Sequence, residues 1–493
     1  MGMVHRAAVS TRRRGASWAS IALIGAAALS TTLLGAPVPA QAALLGGGGT
    51  SEYIVSAPSG TVATALDAVT GVGAQVGTSL SFVDAVTSQL SSSQVSLLGA
   101  LPGIVVTPDV TVSVQGSMGA PDRAPAAVFP EQTGATQLWA QGDTGSGVNV
   151  AVLDTGITPL PDFAGRLVDG VDLTGAGNPW LDSYGHGTFV AGLIAGNGAS
   201  SDGAYTGEAP GAGLVSVKVA GASGETDLAT VIEGVGWTIA NEATDNIRVL
   251  NMSLGYTPVE STVTDPLDQA VEKAWESGIA VVVSAGNAGP GNGTILSPGD
   301  DPLVITAGAV DDGGQTNPAD DTMTTFSSVG PTNPDGWFKP DLVASGRSVV
   351  SLRDPGSTID TENPSARIGT TNFVGSGTSF SSAITSGAAA LLIAADPGYS
   401  PDTVKGTLLG TTTPGPVGDP FVDGHGIVDV AAAVGSAPMT LDQSPPSAAV
   451  PVGATVGLEA SGAPSSWNPA NWTGSAWNGS AWNGSAWNGS AWN

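Results

Sequence analysis

The sequence predicts an α/β fold: a mainly parallel central sheet covered by helices on both faces, preceded by a small α+β domain. Short runs rich in Val and Ile recur at 148–153 (VNVAVL), 214–219 (LVSVKV), 249–254 (VLNMSL), 279–286 (IAVVVSAG) and 304–310 (VITAGAV). Helix-length segments such as 228–243 and 266–277 lie between them. That alternation is the pattern of parallel crossover units buried on both faces. Ahead of them, Tyr53-Ile54-Val55 reads as a first strand, and 63–70 and 83–90 read as short helices. Residues 97–114 (LLGALPGIVVTPDVTVSV) then supply a helix end, a Pro-Gly turn and a β-branched strand.

The ends of the chain differ in character. Residues 1–42 combine Arg6, Arg12, Arg13 and Arg14, an apolar stretch at 18–34, and Ala40-Gln41-Ala42. These are the three parts of a secretory signal, with cleavage expected after Ala42. The small domain is expected over 43–123, closing in a linker rich in Gly, Pro and Ala at 116–127, and the main α/β domain over 124–435. Residues 436–493 form a Pro/Ala/Gly-rich tail that ends in GSAWN repeated four times from Gly474 to Asn493. The tail reads as a flexible low-complexity segment, or as a strip of Trp rings that stacks on cell wall or carbohydrate.

Composition excludes some functions. With 42 Asp and Glu against 14 Lys and Arg, the formal charge is −28, the wrong sign for a partner made of nucleic-acid phosphate. Cysteine is absent, so neither disulfides nor a thiol nucleophile are available.

The candidate chemistry gathers where strands end and helices begin. Asp154 closes the apolar strand VNVAVLD, where a carboxylate needs a partner such as an imidazole N–H; a loop Asp capping a turn is the plainer reading. His186, one of three histidines, starts a small-residue helix in DSYGHGTFVAGLIAG; alone it reads as structural. In VGSGTSFSSAITSGAAALLIAA, Gly375 and Gly377 allow a sharp turn, and Ser379 falls at the helix mouth, where free N–H groups favour developing negative charge. An ordinary N-cap serine would sit there too. Ser382 and Ser386 lie deeper, where a hydroxyl bonds back to a carbonyl, and Ser376 faces away. Ser379 is preferred, although composition alone does not decide it. Asn287, in VVVSAGNAGP, carries an amide able to donate to an oxyanion, or serves as a turn residue.

Taken together, VAVLDTGI, YGHGTFVAG, NMSLG, SAGNAGP and GTSFSSA resemble, in order, the motifs of the subtilisin-like serine proteases. The resemblance covers roughly 134–434. It implies a secreted serine endopeptidase of subtilisin-like fold, with Asp154, His186 and Ser379 as triad and Asn287 in the oxyanion hole. It also implies that Gly224 and Ser253, Leu254 and Gly255 edge the substrate, and that residues 43–123 are a propeptide acting as intramolecular inhibitor. Pro298 falls where the family often has a cis bond. No cofactor is required for such chemistry. Calcium is common in the family: Pro161-Asp162 resembles one ligand segment, whereas the loop at 197–205 does not match. Two departures stand out. Phe189 replaces the usual His after GHGT, and Phe380-Ser381-Ser382-Ala383 replaces the usual Met-Ala-Ser-Pro. Rival readings are a catalytically silent surface-binding protein with a protease-like domain, and a processing protease of narrow specificity.

Overall fold

The computed structural model describes residues 49–446; the signal-like segment and the GSAWN repeats lie outside them. The small domain is an antiparallel sheet in the order β2-β3-β1-β4, made of β1 (Ser51–Ser56), β2 (Val76–Leu80), β3 (Ala85–Leu90) and β4 (Val105–Pro108). Helices α1 (Val62–Gly71) and α2 (Ser92–Leu98) pack against it. Within the segment 83–90, expected as a helix, residues 85–90 are strand β3 instead. It pairs with β1 from Ser51↔Leu90 to Ser56↔Ala85, and Ala85, Val86, Thr87 and Ser88 are all buried. A ladder on each side, with Val and Thr in it, outweighs the local helix tendency.

Strands β5 (Thr111–Val114) and β6 (Ser117–Met118) follow, and short helices α3 (Phe129–Gln132) and α4 (Ala135–Ala140) open the main domain. The chain then runs through β7 (Asn149–Asp154), β8 (Leu167–Asp172), α5 (His186–Ala195), β9 (Gly213–Lys218), β10 (Glu225–Asp227) and α6 (Leu228–Asp245). Next come β11 (Ile247–Met252), β12 (Leu254–Gly255), α7 (Pro266–Glu276), β13 (Ala280–Ser284), β14 (Ile305–Asp311), β15 (Thr322–Met323) and β16 (Leu342–Ser345). The last part holds β17 (Val349–Leu352), α8 (Thr358–Glu362), β18 (Arg367–Ile368), β19 (Asn372–Ser376), α9 (Thr378–Ala395), α10 (Pro401–Gly410) and α11 (Val430–Gly435).

The central sheet runs β14-β13-β11-β7-β9-β8, all parallel, with β16 parallel and β15 antiparallel to β14. Helices α5 and α9 pack together on one face and α6 and α7 on the other. This is the predicted covered parallel sheet, and its all-apolar strands follow from burial on both sides. Helix α9 has a mean hydropathy of 1.4 over 18 residues, but it is buried from Thr378 to Ile393 and is a core helix.

The expected linker at 116–127 is more ordered than its composition suggests. Ser117 and Met118 pair with Ser376 and Gly375, and Asp122 and Arg123 are held by ion pairs to Arg347 and Asp312. The small domain also shares apolar core with the main one: Leu80 and Val83 belong to the same buried cluster as the central sheet. Asp109 adds a second cap to α6, accepting from the Ala229 N–H at 3.0 Å beside the helix's own Asp227 cap on Thr230 at 2.7 Å.

Glu208, fully buried where α9 and the α3–α4 turn meet, accepts from the Thr133 hydroxyl at 2.6 Å. A Cβ on Gly387 of α9 would lie 2.4 Å from the Glu208 Cβ. Burial pushes this carboxyl up to about 8, against the downward pull of the Thr133 hydrogen bond. The unfolded chain therefore loses this proton near its ordinary 4.5, while the folded chain keeps it. Stability falls as pH rises through that window and levels off above it. Glu208→Gln is expected to remove this fall, so that the variant gains a few kcal/mol on the wild type between pH 5 and pH 8. Urea unfolding at the two pH values checks it.

Candidate active site

Asp154 ends β7 and His186 begins α5, and the crossover between them folds both to the same end of the sheet. The His186 Nδ1 lies 2.9 Å from each Asp154 carboxylate oxygen. Both residues are buried, so the carboxylate is matched by the ring and by the Thr155 N–H at 2.8 Å. That pairing fixes the ring and presents Nε2 on the opposite edge. Gly187 is required after it, because a Cβ there would come within 2.2 Å of the Gly156 carbonyl oxygen.

A second buried carboxylate orders the same corner. Asp182 accepts from the Gly185 N–H at 2.6 Å, the Thr188 N–H at 2.8 Å and the Thr155 hydroxyl at 2.7 Å. It caps the first turn of α5, whose own cap position is a glycine without a side chain to offer. The sequence carries this signal as an Asp four residues before His186.

Ser379 lies in the first turn of α9 and is buried. Its hydroxyl contacts the carbonyl oxygen of Gln115 and donates to the Ser253 carbonyl at 3.0 Å. Its N–H points at the same Gln115 oxygen, at 3.2 Å. The other hydroxyls of the stretch are engaged elsewhere. Ser381 donates to the Ala344 carbonyl at 3.1 Å, Ser382 to the Ser379 carbonyl at 2.9 Å, and Ser376 accepts from the Ser348 N–H at 3.0 Å. Ser386, expected to bond back within its own helix, donates instead to Asn251 at 2.9 Å. Asn251 in turn donates to Ser253 at 2.9 Å, tying the end of β11 to α9.

Asn287 comes from the loop after β13. Its side-chain oxygen accepts from both the N–H and the hydroxyl of Thr378, each at 3.0 Å. Thr378 also receives the Gly286 N–H at 3.1 Å, so it bolts the loop to the helix start. The Asn287 Nδ2 is left facing the carbonyl region: a Cβ on Gly377 would touch the Gln115 oxygen, the Gly116 Cα and this nitrogen at 2.7, 2.8 and 3.3 Å.

Between these groups lies the chain's own segment. β5 pairs antiparallel with β10 on one side and β12 on the other. The Val114 N–H donates to the Gly224 carbonyl at 3.2 Å and the Gln115 N–H to the Ser253 carbonyl at 2.9 Å. Gly224, Ser253, Leu254 and Gly255 thus all border an extended peptide in the cleft. Just beyond, a Cβ on Gly116 would lie 3.2 Å from the His186 Nε2 and 2.9 Å from the Phe380 ring. Nε2 itself has no hydrogen-bond partner among the described residues.

The two departures read separately in the sequence touch here. The Phe189 and Phe380 rings pack at a centroid distance of 4.6 Å, and Phe380 lies 5.8 Å from the His186 ring. Phe380 thus forms an apolar wall beside the imidazole. Ala383 is buried inside α9. The Ser297–Pro298 bond is cis.

The calcium segment does not fit an ion. Asp162 receives the Ser200 N–H at 3.2 and 3.3 Å, and the Ser200 hydroxyl as well. Arg166 donates to the Ala195 and Ala212 carbonyls at 2.6 and 2.9 Å and to the Asp162 carbonyl, placing a cation where ligand oxygens would be needed. Among the described residues, no three carboxylate or imidazole side chains are grouped to hold a metal ion.

Comparison with known proteins agrees with this architecture. The sequence pattern of the subtilase family matches residues 145–426. The serine protease AprX of Bacillus subtilis (strain 168) is 44% identical over 291 residues, covering 58% of this chain and 66% of AprX, just under two thirds of its length. Subtilisin NAT of Bacillus subtilis subsp. natto is 32% identical over 371 residues, covering 74% of this chain and 85% of that protein. Among solved structures, fervidolysin from Fervidobacterium pennivorans, described as a keratinolytic enzyme related to subtilisin, superposes with a TM-score of 0.63 at 22% identity. That match covers 80% of this chain and 62% of fervidolysin, and it supports the fold.

Proposed function

Since the chain belongs to the subtilase family, we propose that it is a serine endopeptidase whose first substrate is its own Gln115–Gly116 bond. The observation that carries this reading is the Gln115 carbonyl, held against the Ser379 hydroxyl and N–H at the end of a strand paired on both edges. Ser379 attacks that carbonyl carbon, and His186 Nε2 takes the hydroxyl proton while Asp154 stabilises the imidazolium. The oxyanion that forms is received by the Ser379 N–H and the Asn287 amide. His186 then protonates the Gly116 nitrogen as the C–N bond breaks, and water releases the acyl group from Ser379 by the same steps. Other peptides would follow the same path once the segment leaves.

On this reading Nε2 lacks a partner because Gly116 lies against it and the Ser379 hydroxyl has turned toward the carbonyl. The boundary of the propeptide moves from Arg123 to Gln115. Export of the precursor rests on the signal-like residues 1–42, and extended peptides are the substrate class implied by the paired edges. A binding protein without activity has no use for this juxtaposition of nucleophile, base and carbonyl.

A fluorophosphonate probe tests the assignment of the nucleophile. It should label the mature wild-type protein and leave Ser379→Ala unlabelled. Mature wild-type protein that resists labelling would sink the reading.

A further inference from the structure

The segment downstream of Gln115 is held on its own surface, separate from the two edges that grip β5. Ser117 and Met118 pair antiparallel with Ser376 and Gly375, at the end of the strand that leads into the nucleophile helix. Asp122 then accepts from Arg347 Nη2 at 2.8 Å, from its Nε at 3.2 Å, and from the Ser348 hydroxyl at 2.7 Å. Arg123 donates to Asp312 at 2.9 Å, to the Arg347 carbonyl at 2.7 Å, and to Asp311. Arg347 also reaches Asp311 at 3.4 Å. Two acids and one arginine of the main domain thus meet one acid and one arginine of the segment.

Resting on the protease reading above, we propose that Arg347, Asp311 and Asp312 form a charged peptide-binding surface beyond the β19 edge, for the seventh and eighth residues past the cleaved bond. Its first occupant is the chain's own segment 116–123. Cutting at Gln115–Gly116 releases the upstream half, but the new N-terminal segment still lies across the downstream half and must move before a long substrate enters. The contacts suit a strap that holds and then lets go. The Arg347–Asp122 pair is exposed, at 47% and 43%, so water and salt screen it and its contribution is small. The Arg123–Asp312 pair is better covered, at 21% and 5%, and is the firmer anchor. Only two residue pairs of ladder support them. The surface favours a peptide with an acidic and then a basic residue in the positions of Asp122 and Arg123, counted from the cleaved bond.

The test uses the self-cleaved protein freed of residues upstream of Gly116, with that N-terminus verified by mass spectrometry. The substrate is an internally quenched peptide extending at least as far past its cleaved bond as Arg123 lies past Gln115. Arg123→Gln is expected to raise kcat/KM about three- to tenfold over wild type at low ionic strength, with the gap narrowing in 0.5 M salt (roughly a 4 Å Debye length). Equal kcat/KM in the two proteins would overturn the proposal. So would a lowered melting temperature with unchanged kcat/KM, since the ion pairs would then be structural alone. If neither protein cleaves any peptide, the protease reading itself falls and this one with it.

Discussion

Ser379→Ala is expected to leave the precursor uncut at Gln115–Gly116 and to lower peptide turnover by about 10⁶-fold, the order known for loss of the subtilisin nucleophile. The size of the effect follows from the absence of a substitute. Ser381, Ser382 and Ser376 each have their oxygen engaged with a backbone group away from the Gln115 carbonyl, so none can take over the attack. Ser381→Ala is the control. It removes a buried hydroxyl shared between the Ala344 and Ser345 carbonyls, at a cost of about 1 kcal/mol in stability, and should retain turnover within a few-fold. Active-site titration of both variants, with melting temperatures, separates loss of chemistry from loss of fold.

Asn287→Ala is expected to lower kcat by about 10²–10³-fold while KM changes little. The amide oxygen is fixed by two hydrogen bonds from Thr378, which turns Nδ2 toward the carbonyl before any substrate arrives. A donor held in this way strengthens as charge develops on the oxygen, so its loss is felt in the transition state more than in binding. Thr378→Val gives a graded version: it keeps the Nδ2 donor but removes the hydroxyl that anchors the amide and the Asn287 loop. A smaller fall in kcat, again with KM nearly constant, is the corresponding outcome. Steady-state kinetics on one peptide series measures both.

Much of the scaffold was legible because its signals are local. The Val- and Ile-rich runs are strands because both sheet faces are covered, and Ser379 stood out because glycines precede it and a buried helix follows. What was not legible depends on distant partners. Strand β3 has the local pattern of a helix, and its identity comes from pairing with β1 on one side and β2 on the other. The segment at 116–127 has a linker's composition, yet its neighbours are Ser376, Arg347 and Asp312, far along the chain. The contact between Gln115 and Ser379 spans 264 residues and leaves no mark on either local sequence. Phe189 and Phe380 look like two unrelated departures until their rings are seen to touch. Asp182 could have been found, since a carboxylate just before a helix that lacks a side-chain cap is a recognisable local pattern.

On the proposed reading, the chain's own Gln115–Gly116 bond is the first peptide to be cut. The N-terminal sequence of the self-processed wild-type protein tests it most directly, read beside Ser379→Ala prepared in the same way. A new N-terminus at Gly116 in the wild type, absent from the variant, is the predicted result. A first cut elsewhere, such as after Arg123, or a cut at Gly116 that persists in Ser379→Ala, would contradict it.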